Sequence, residues 1–306
     1  MLFIPLIALH DRWMNLQQMR YVLAVAETGS FTRAAQRCFV VQSALSHQIA
    51  TLERELGLKL FARSSRRVEL TTAGRAFLPA ARQTLDAADR AVTEAAAAVG
   101  EVRGRLTIGV IPTVTAIDIP SVLRDFHREH PRVKVSLRVG RSDELVKGVR
   151  SGNMDLALLG LPDGETPQGV ASRVLARDHH VVVVARGHPL ATHTKLRMDE
   201  LTEETFADFS AGAPGRAQTD HAFREAGLRR EVAFESTTVE LILGLVRERL
   251  AVALLPSALA PALSGLAMIP VDNGPTRTEH LVWDEFNTAP AATAFLELLR
   301  SRDTTA

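Results

Sequence analysis

Three short amphipathic segments, separated by Gly29 and by the turn before Gln42 and closed by Gly57, crowd residues 15–75 and run into an arginine-studded Leu-Thr stretch. A chain with this punctuation has room for small crossed helices and little else. The first helix is expected from about Leu16 to Glu27, with Met19, Val22, Leu23 and Ala26 on one face at i, i+3, i+4, i+7 spacing. Ser30 then supplies an N-cap oxygen to a second helix that turns Phe31, Ala34, Ala35 and Cys38 inward. The adjacent alanines let a crossing helix approach closely. A third helix runs from about Gln42 to Leu56, where Gly57 stops it, and its Leu45, Ile49, Leu52 and Leu56 should face the core.

The opposite face of that third helix holds Ser43, Ser46, His47 and Ala50, with Gln42 at its start. Short polar side chains fit deep in a major groove, and a glutamine can pair bidentately with adenine. A merely solvated face would carry the usual Glu/Lys mixture, and this one does not. The segment KLFARSSRRVELT follows and reads as a hairpin, with Leu60 and Phe61 inward and Arg63, Arg66 and Arg67 at the tip. Arginines there suit phosphate contacts, which give affinity and register without choosing sequence. Residues 15–75 carry nine basic residues against four acidic ones, whereas the whole chain is at +1. A basic module joined to a slightly acidic remainder points to a nucleic-acid reader coupled to a separate sensing domain.

ETGSFTRAA at 27–35, QSALSHQIATLERELG at 42–57, LFARSSRR at 60–67 and LTTAG at 70–74 together resemble the winged helix-turn-helix of LysR-type transcriptional regulators. On this reading Gln42, Ser43, Ser46 and His47 approach base edges, while Thr32, Arg33, Arg63, Arg66 and Arg67 hold phosphates. Two positions depart from the family pattern. Val41 stands where Ser or Thr usually precedes the opening Gln, and bulky Phe39 stands where a polar turn residue is expected.

From Thr72 to about Val99 the chain is Ala-rich, and Leu78, Ala81, Leu85, Ala88, Val92, Ala95 and Val99 alternate three and four apart. Such a seam either pairs with a second copy or covers the core of its own domain; pairing is favoured, because a glycine-flanked strand pattern follows directly. Pro79 should kink the helix or cost it one backbone bond. The resemblance implies a homodimer or homotetramer whose paired heads match half-sites of a partly palindromic double-stranded operator, with RNA polymerase as a further partner.

From Arg105 the pattern becomes strand, helix, strand, helix, strand: RLTIGV, IPSVLRDFHREHP, VKVSLRVG, SDELVKGVRSGN and MDLALLG. That order predicts a parallel sheet. HHVVVVARGHP opens a second set that continues through TFADFS, a helix around Gln218–Ala226, VAFEST, VELILGLVRERL and AVALLP. The fold class is therefore α/β: an N-terminal winged helix-turn-helix, a long linker helix and a two-lobed effector domain that resembles periplasmic binding proteins. The domains are read as an extension at 1–14, the DNA-binding head at 15–72, the linker at 73–100 and the effector domain at 105–300; the final SRDTTA is expected to fray. Ligands of such folds sit beyond the carboxyl ends of strands. Thr113, Thr115, Ser210, Thr237 and Thr238 offer hydroxyls and amides there and Arg216 a charge, which suits a small organic effector, a carboxylate among the candidates. Simple helix caps are the alternative for any one of these residues.

Composition narrows the rest. No apolar run reaches the roughly 18 residues of a membrane span, and MLFIPLIAL lacks the flanks of a secretory signal, so a cytoplasmic protein is expected, with translation starting at Met1 or Met14. The one cysteine, Cys38, excludes an intrachain disulfide. Peroxide-sensing members of the family use a cysteine pair in the effector domain, and residues 105–306 contain none. The chain holds no metalloprotease, nucleophile-elbow or phosphate-loop motif, and His179-His180 opens a strand on which at most one of the two can face inward. No catalytic residue, metal or cofactor is implied. A solute-binding protein would leave the basic head unexplained, and an architectural DNA binder would leave the two lobes without a role.

Overall fold

The computed structural model describes residues 14–63, 68–259, 265–286 and 288–303, in two compact units that divide between Ala95 and Ala96. The first unit contains α1 (Leu16–Thr28), α2 (Phe31–Arg37), α3 (Gln42–Leu56), β1 (Phe61–Arg63), β2 (Val68–Leu70) and most of α4 (Thr72–Ala97). Asn15 starts α1 through a reciprocal capping box: its side chain accepts from the Gln18 amide at 2.9 Å, and the Gln18 side chain accepts from the Asn15 amide at 2.9 Å. Gly29 and Gly57 end α1 and α3 in the left-handed region, at φ 62° and 66°. Ser30 caps α2 as its position implies, whereas Val41 gives α3 no side-chain cap.

Val22, Val25, Ala34, Leu45, Ile49 and Leu52 make the centre of the head, with Phe31 edge-on to Phe61. Leu56, expected inward, is 36% exposed. The last turn of α3 closes on the hairpin through Glu53 instead. This buried carboxylate accepts from the amides of Leu60 and Phe61 at 2.9 and 3.2 Å and from Lys59 Nζ at 2.9 Å. Burial alone would raise its pKa, but the Lys59 and backbone donors outweigh that and hold it low. β1 and β2 pair antiparallel. Thr71 donates to the Lys59 carbonyl at 2.5 Å and accepts from the Gly74 amide at 3.0 Å, tying the hairpin to the start of α4. Position 74 must be glycine, since a Cβ there would lie 2.1 Å from the Leu60 oxygen.

The α4 seam divides. Ala81 and Leu85 bury against Met19 of α1, with Phe77 packed alongside. Val92, further on, is 58% exposed. The helix runs unbroken through Pro79.

In the second unit, β3 (Gly104–Val110), α5 (Ile119–Glu129), β4 (Val133–Val139), α6 (Ser142–Arg150) and β5 (Leu156–Pro162) form the expected parallel set, in the order β4-β3-β5. β6 (Ala171–Ala185) begins eight residues before the histidine pair and serves both lobes. The second lobe adds β7 (Leu196–Arg197), β8 (Thr205–Phe209), α7 (Pro214–Glu225), β9 (Glu231–Ser236), α8 (Val239–Arg247), β10 (Ala253–Pro256) and β11 (Leu266–Asp272). The chain then returns to the first lobe as β12 (Thr276–Trp283) and α9 (Pro290–Asp303). β6 pairs antiparallel with β12 from Ala171 to His179, then with β10 and β11 from His180 to Ala185. The lobes therefore join at two crossings, one inside β6 at His179 and His180 and one between Asp272 and Thr276.

The valine run in β6 follows from its neighbours. Val181 and Val183 pack with Ile242, Leu243 and Leu255 on one side; Val182 and Val184 pack with Phe206, Phe223 and Leu254 on the other. A strand covered on both faces cannot alternate with polar residues. The first lobe is built on Leu106, Ile108, Phe126, Leu156, Leu158 and Phe295. No described helix is long and apolar enough to cross a membrane.

Candidate functional site

Two places could bind partners, one in each unit. In the head, the side of α3 opposite Leu45, Ile49 and Leu52 presents Gln42, Ser43 and His47 exposed and Ser46 half-buried. Thr32 and Arg33 are exposed on the first turn of α2, where Arg33 donates to the Thr28 carbonyl at 2.5 Å. Arg63 ends β1, and Arg66 and Arg67 lie outside the described residues. Cys38 sits half-buried at the end of α2, and burial pushes its thiol pKa up, away from reactive thiolate.

In the effector unit a cavity of about 300 Å³ opens between the lobes. Thr113, Ser210 and Thr237 line it, as do His180, Gln218 and Arg277 among apolar residues such as Ile111, Phe209 and Leu254. Thr115, Arg216 and Thr238 do not line it. Thr115 and Arg216 already hold internal carboxylates. The amides of Thr115 and Ala116 and the Thr115 hydroxyl all donate to Glu279, at 2.6–3.2 Å. Arg216 donates to Asp220 at 3.0 Å and to Glu235 at 2.9 Å. Thr238 donates its backbone N–H to Ser236 and stays exposed.

Arg277 and His180, which sequence reasoning did not single out as site residues, line the cavity at the lobe crossings, and Glu279 is bonded to Arg277. Arg277, 2% exposed, donates to the Thr113 hydroxyl at 2.8 Å and carbonyl at 2.9 Å, and to Glu279 at 2.5 Å. Asp178 lies 3.7 Å away and accepts from Ser257 at 2.6 Å. Burial pulls the Arg277 pKa down, and the two carboxylates oppose that pull. The Arg277 Nε–H is buried with no acceptor among the described residues.

Of the histidine pair, one faces in and one faces out: His180 is 4% exposed and His179 lies open. His180 Nδ1 is 3.1 Å from the Pro275 carbonyl. A carbonyl only accepts, so Nδ1 carries the proton and Nε2 is left as an acceptor. Burial, then the Arg277 charge, lowers the His180 pKa to about 4, so the ring is neutral near pH 7.

A second buried cluster lies in the far lobe around Arg230. Arg230 donates to Asp208 at 2.6 Å and to Asp220 at 2.8 Å. Its remaining nitrogens find no acceptor among the described residues, but the guanidinium lies 5.1 and 5.2 Å from the Phe206 and Phe223 ring centres. The ring faces supply the missing negative potential.

Two family descriptions match the chain: the bacterial regulatory helix-turn-helix protein of the lysR family over residues 16–75, and the LysR substrate binding domain over residues 100–304. The chain belongs to the LysR family of transcriptional regulators. It is 33% identical over 245 residues to the transcriptional dual regulator GltC of Bacillus subtilis, covering 80% of this chain and 81% of that one. It is 32% identical over 246 residues to a probable nitrogen assimilation transcriptional activator of Synechococcus elongatus, covering 80% and 79%. Among solved structures it is similar to full-length CbnR complexed with its target DNA, with TM-score 0.70 and 26% identity over 94% of this chain and 99% of that chain. Full-length OxyR C199D from Pseudomonas aeruginosa gives TM-score 0.71 and 25% identity, with 94% of each chain covered. This LysR-type regulator thus combines a DNA-binding head with an effector-binding domain.

Proposed function

We propose that this regulator is a cytoplasmic homo-oligomer that acts by binding and not by catalysis. It reads a partly palindromic operator through Gln42, Ser43, Ser46 and His47, with Thr32, Arg33 and the hairpin arginines Arg63, Arg66 and Arg67 on phosphates. The exposed later part of the α4 seam pairs two copies, and the family resemblance extends this to a tetramer that addresses RNA polymerase. A small organic effector enters the cavity and touches both lobes, through Thr113 and His180 on one side and Ser210 and Thr237 on the other. A ligand shifts a conformational equilibrium only through its differential affinity for the two states, and contacts from both lobes provide one.

The observation that carries this reading is that His180, bonded to Pro275 at the other chain crossing, lines the cavity together with Thr113 and Arg277. Because the arginines that line the cavity, Arg277 and Arg141, already hold protein carboxylates, an effector with uncharged polar groups fits better than a carboxylate, which was one candidate on sequence. The test is a thermal-shift screen with small aromatic acids and their matching amides, on wild type and Thr113→Ala. Amides should stabilise the wild type more than acids, and the variant should lose that shift. Preferential stabilisation by the acids would reverse the assignment of ligand class.

A further inference from the structure

We propose that Phe39, with Val41 beside it, is a sequence-reading element that packs against thymine methyl groups at the edge of the major groove. The proposal rests on α3 being the reading helix. Phe39 occupies the left-handed region, at φ 55°, and its side chain is 95% exposed. Its amide donates to the Gln36 carbonyl at 3.1 Å and that of Val40 to Ala35 at 3.0 Å, so Phe39 fills the place just past a helix end where Gly or Asn fits without strain. A phenylalanine there strains the backbone and gains no burial in return, so its use lies outside the folded head.

The position says where. Cys38 and Val40 pack toward the head's core, and the alternation turns Phe39 and Val41 outward. Val41 is 68% exposed and supplies no cap to α3. From there the exposed strip continues without a break into Gln42 and Ser43. Gln42 lies three positions on from Phe39, a reach of at most about 10 Å, or about three base steps along a strand. An apolar side chain in the major groove has one natural partner on the bases, the C5-methyl of thymine.

The experiment uses the full-length protein and a duplex enriched from a random-sequence library by binding to the wild type. Each thymine in the enriched site is replaced in turn by uracil, which removes only the methyl. Wild type should lose about fourfold in affinity at one or two positions per half-site, the worth of burying one methyl-sized group. Phe39→Asn should bind the parent duplex more weakly, be indifferent to those replacements, and unfold at a temperature a few degrees higher, because asparagine tolerates the left-handed backbone. Opposite signs in stability and binding are what a purely structural Phe39 would not give. Gln42→Ala, measured in parallel, should relax sequence choice elsewhere in the site. If Phe39→Asn keeps the wild-type uracil profile while Gln42→Ala loses discrimination, Phe39 does not read DNA and the helix assignment stands. If neither variant changes the profile, α3 is not the reading helix and both fall.

Discussion

The head and the cleft use their polar residues in opposite ways. Along α3, Gln42, Ser43 and His47 stand open, and the charges that are buried nearby, such as Glu53, serve the fold. In the cleft most charged groups are already matched from within: Arg277 by Glu279 and Asp178, Asp208 by Arg230, and Arg141 by Asp143. A surface that must meet a polyanion keeps its donors free. A cavity that must hold one small molecule and also act as the joint between lobes satisfies its own charges first, because an unpaired buried charge costs more than a ligand can repay. The contrast also explains which binding residues were legible.

The sharpest way to break this comparison is to unpair the joint. Replacing Arg277 with Met leaves Glu279 and Asp178 buried without their cation. The effector unit should lose about 3–5 kcal/mol, read as a lower urea midpoint for its transition while the head's transition stays put. Adding Glu279→Gln should restore part of the loss. If Arg277→Met alone is neutral, the cluster does not bear on the fold and its residues are free for a ligand.

His180 gives the next largest effect. Its pKa is about 4 in the folded protein against an ordinary value of 6.5, so the unfolded chain binds the extra proton between those values. Its contribution is complete above pH 6.5 and is lost as pH falls toward 4, for a total of about 3 kcal/mol. His180→Gln should remove that slope from the pH dependence of unfolding. A slope that persists in the variant would have to come from other groups, and His180 would not be the buried neutral partner of Pro275.

In the head, Glu53→Ala strands the buried amides of Leu60 and Phe61. A loss of about 2 kcal/mol is expected, along with weaker DNA binding, although Glu53 lies on the core side of α3. Wild-type affinity in a folded Glu53→Ala protein would mean that the hairpin's placement does not matter to the operator.

These residues show what a sequence yields and what it withholds. The helices of the head follow from spacing and caps within a few residues: Ser30, Gly29 and Gly57 mark their ends, and α3 falls on Gln42–Leu56 as its pattern predicts. The first-lobe βαβαβ set is equally local. The joint is not. Arg277 meets Thr113 across 164 positions of chain, and the strand that carries it, TRTEHLVW, places Arg, Glu and His where a buried strand would be expected to place apolar residues. Read alone it resembles a solvated loop, so β12 and its charges escaped notice. The same blindness made Thr115 and Arg216 look like free anion sites, because their carboxylates arrive from elsewhere in the fold. Glu53 failed as a signal for a related reason: a glutamate beside Leu52 reads as the helix's wet face until the hairpin amides are seen to need it.

The smallest expected effect tests the head's side of the contrast, that residues around α3 are chosen for DNA at the expense of the fold. Val41 stands at the N-cap of α3 with extended backbone, φ −74° and ψ 143°, and no side-chain bond to the helix's free amides. Val41→Ser places an oxygen there without altering the backbone and should stabilise the head by about 1 kcal/mol, a rise of several degrees in its unfolding temperature for a unit of this size. The same change removes one exposed apolar group from the strip that leads into Gln42, so affinity for the enriched duplex should fall while thermal stability rises. If Val41→Ser gains stability and keeps full affinity, the missing cap serves no purpose on the DNA. If it gains no stability, the N-terminal amides of α3 are satisfied by some other group, and the head has not traded stability for reading at this position.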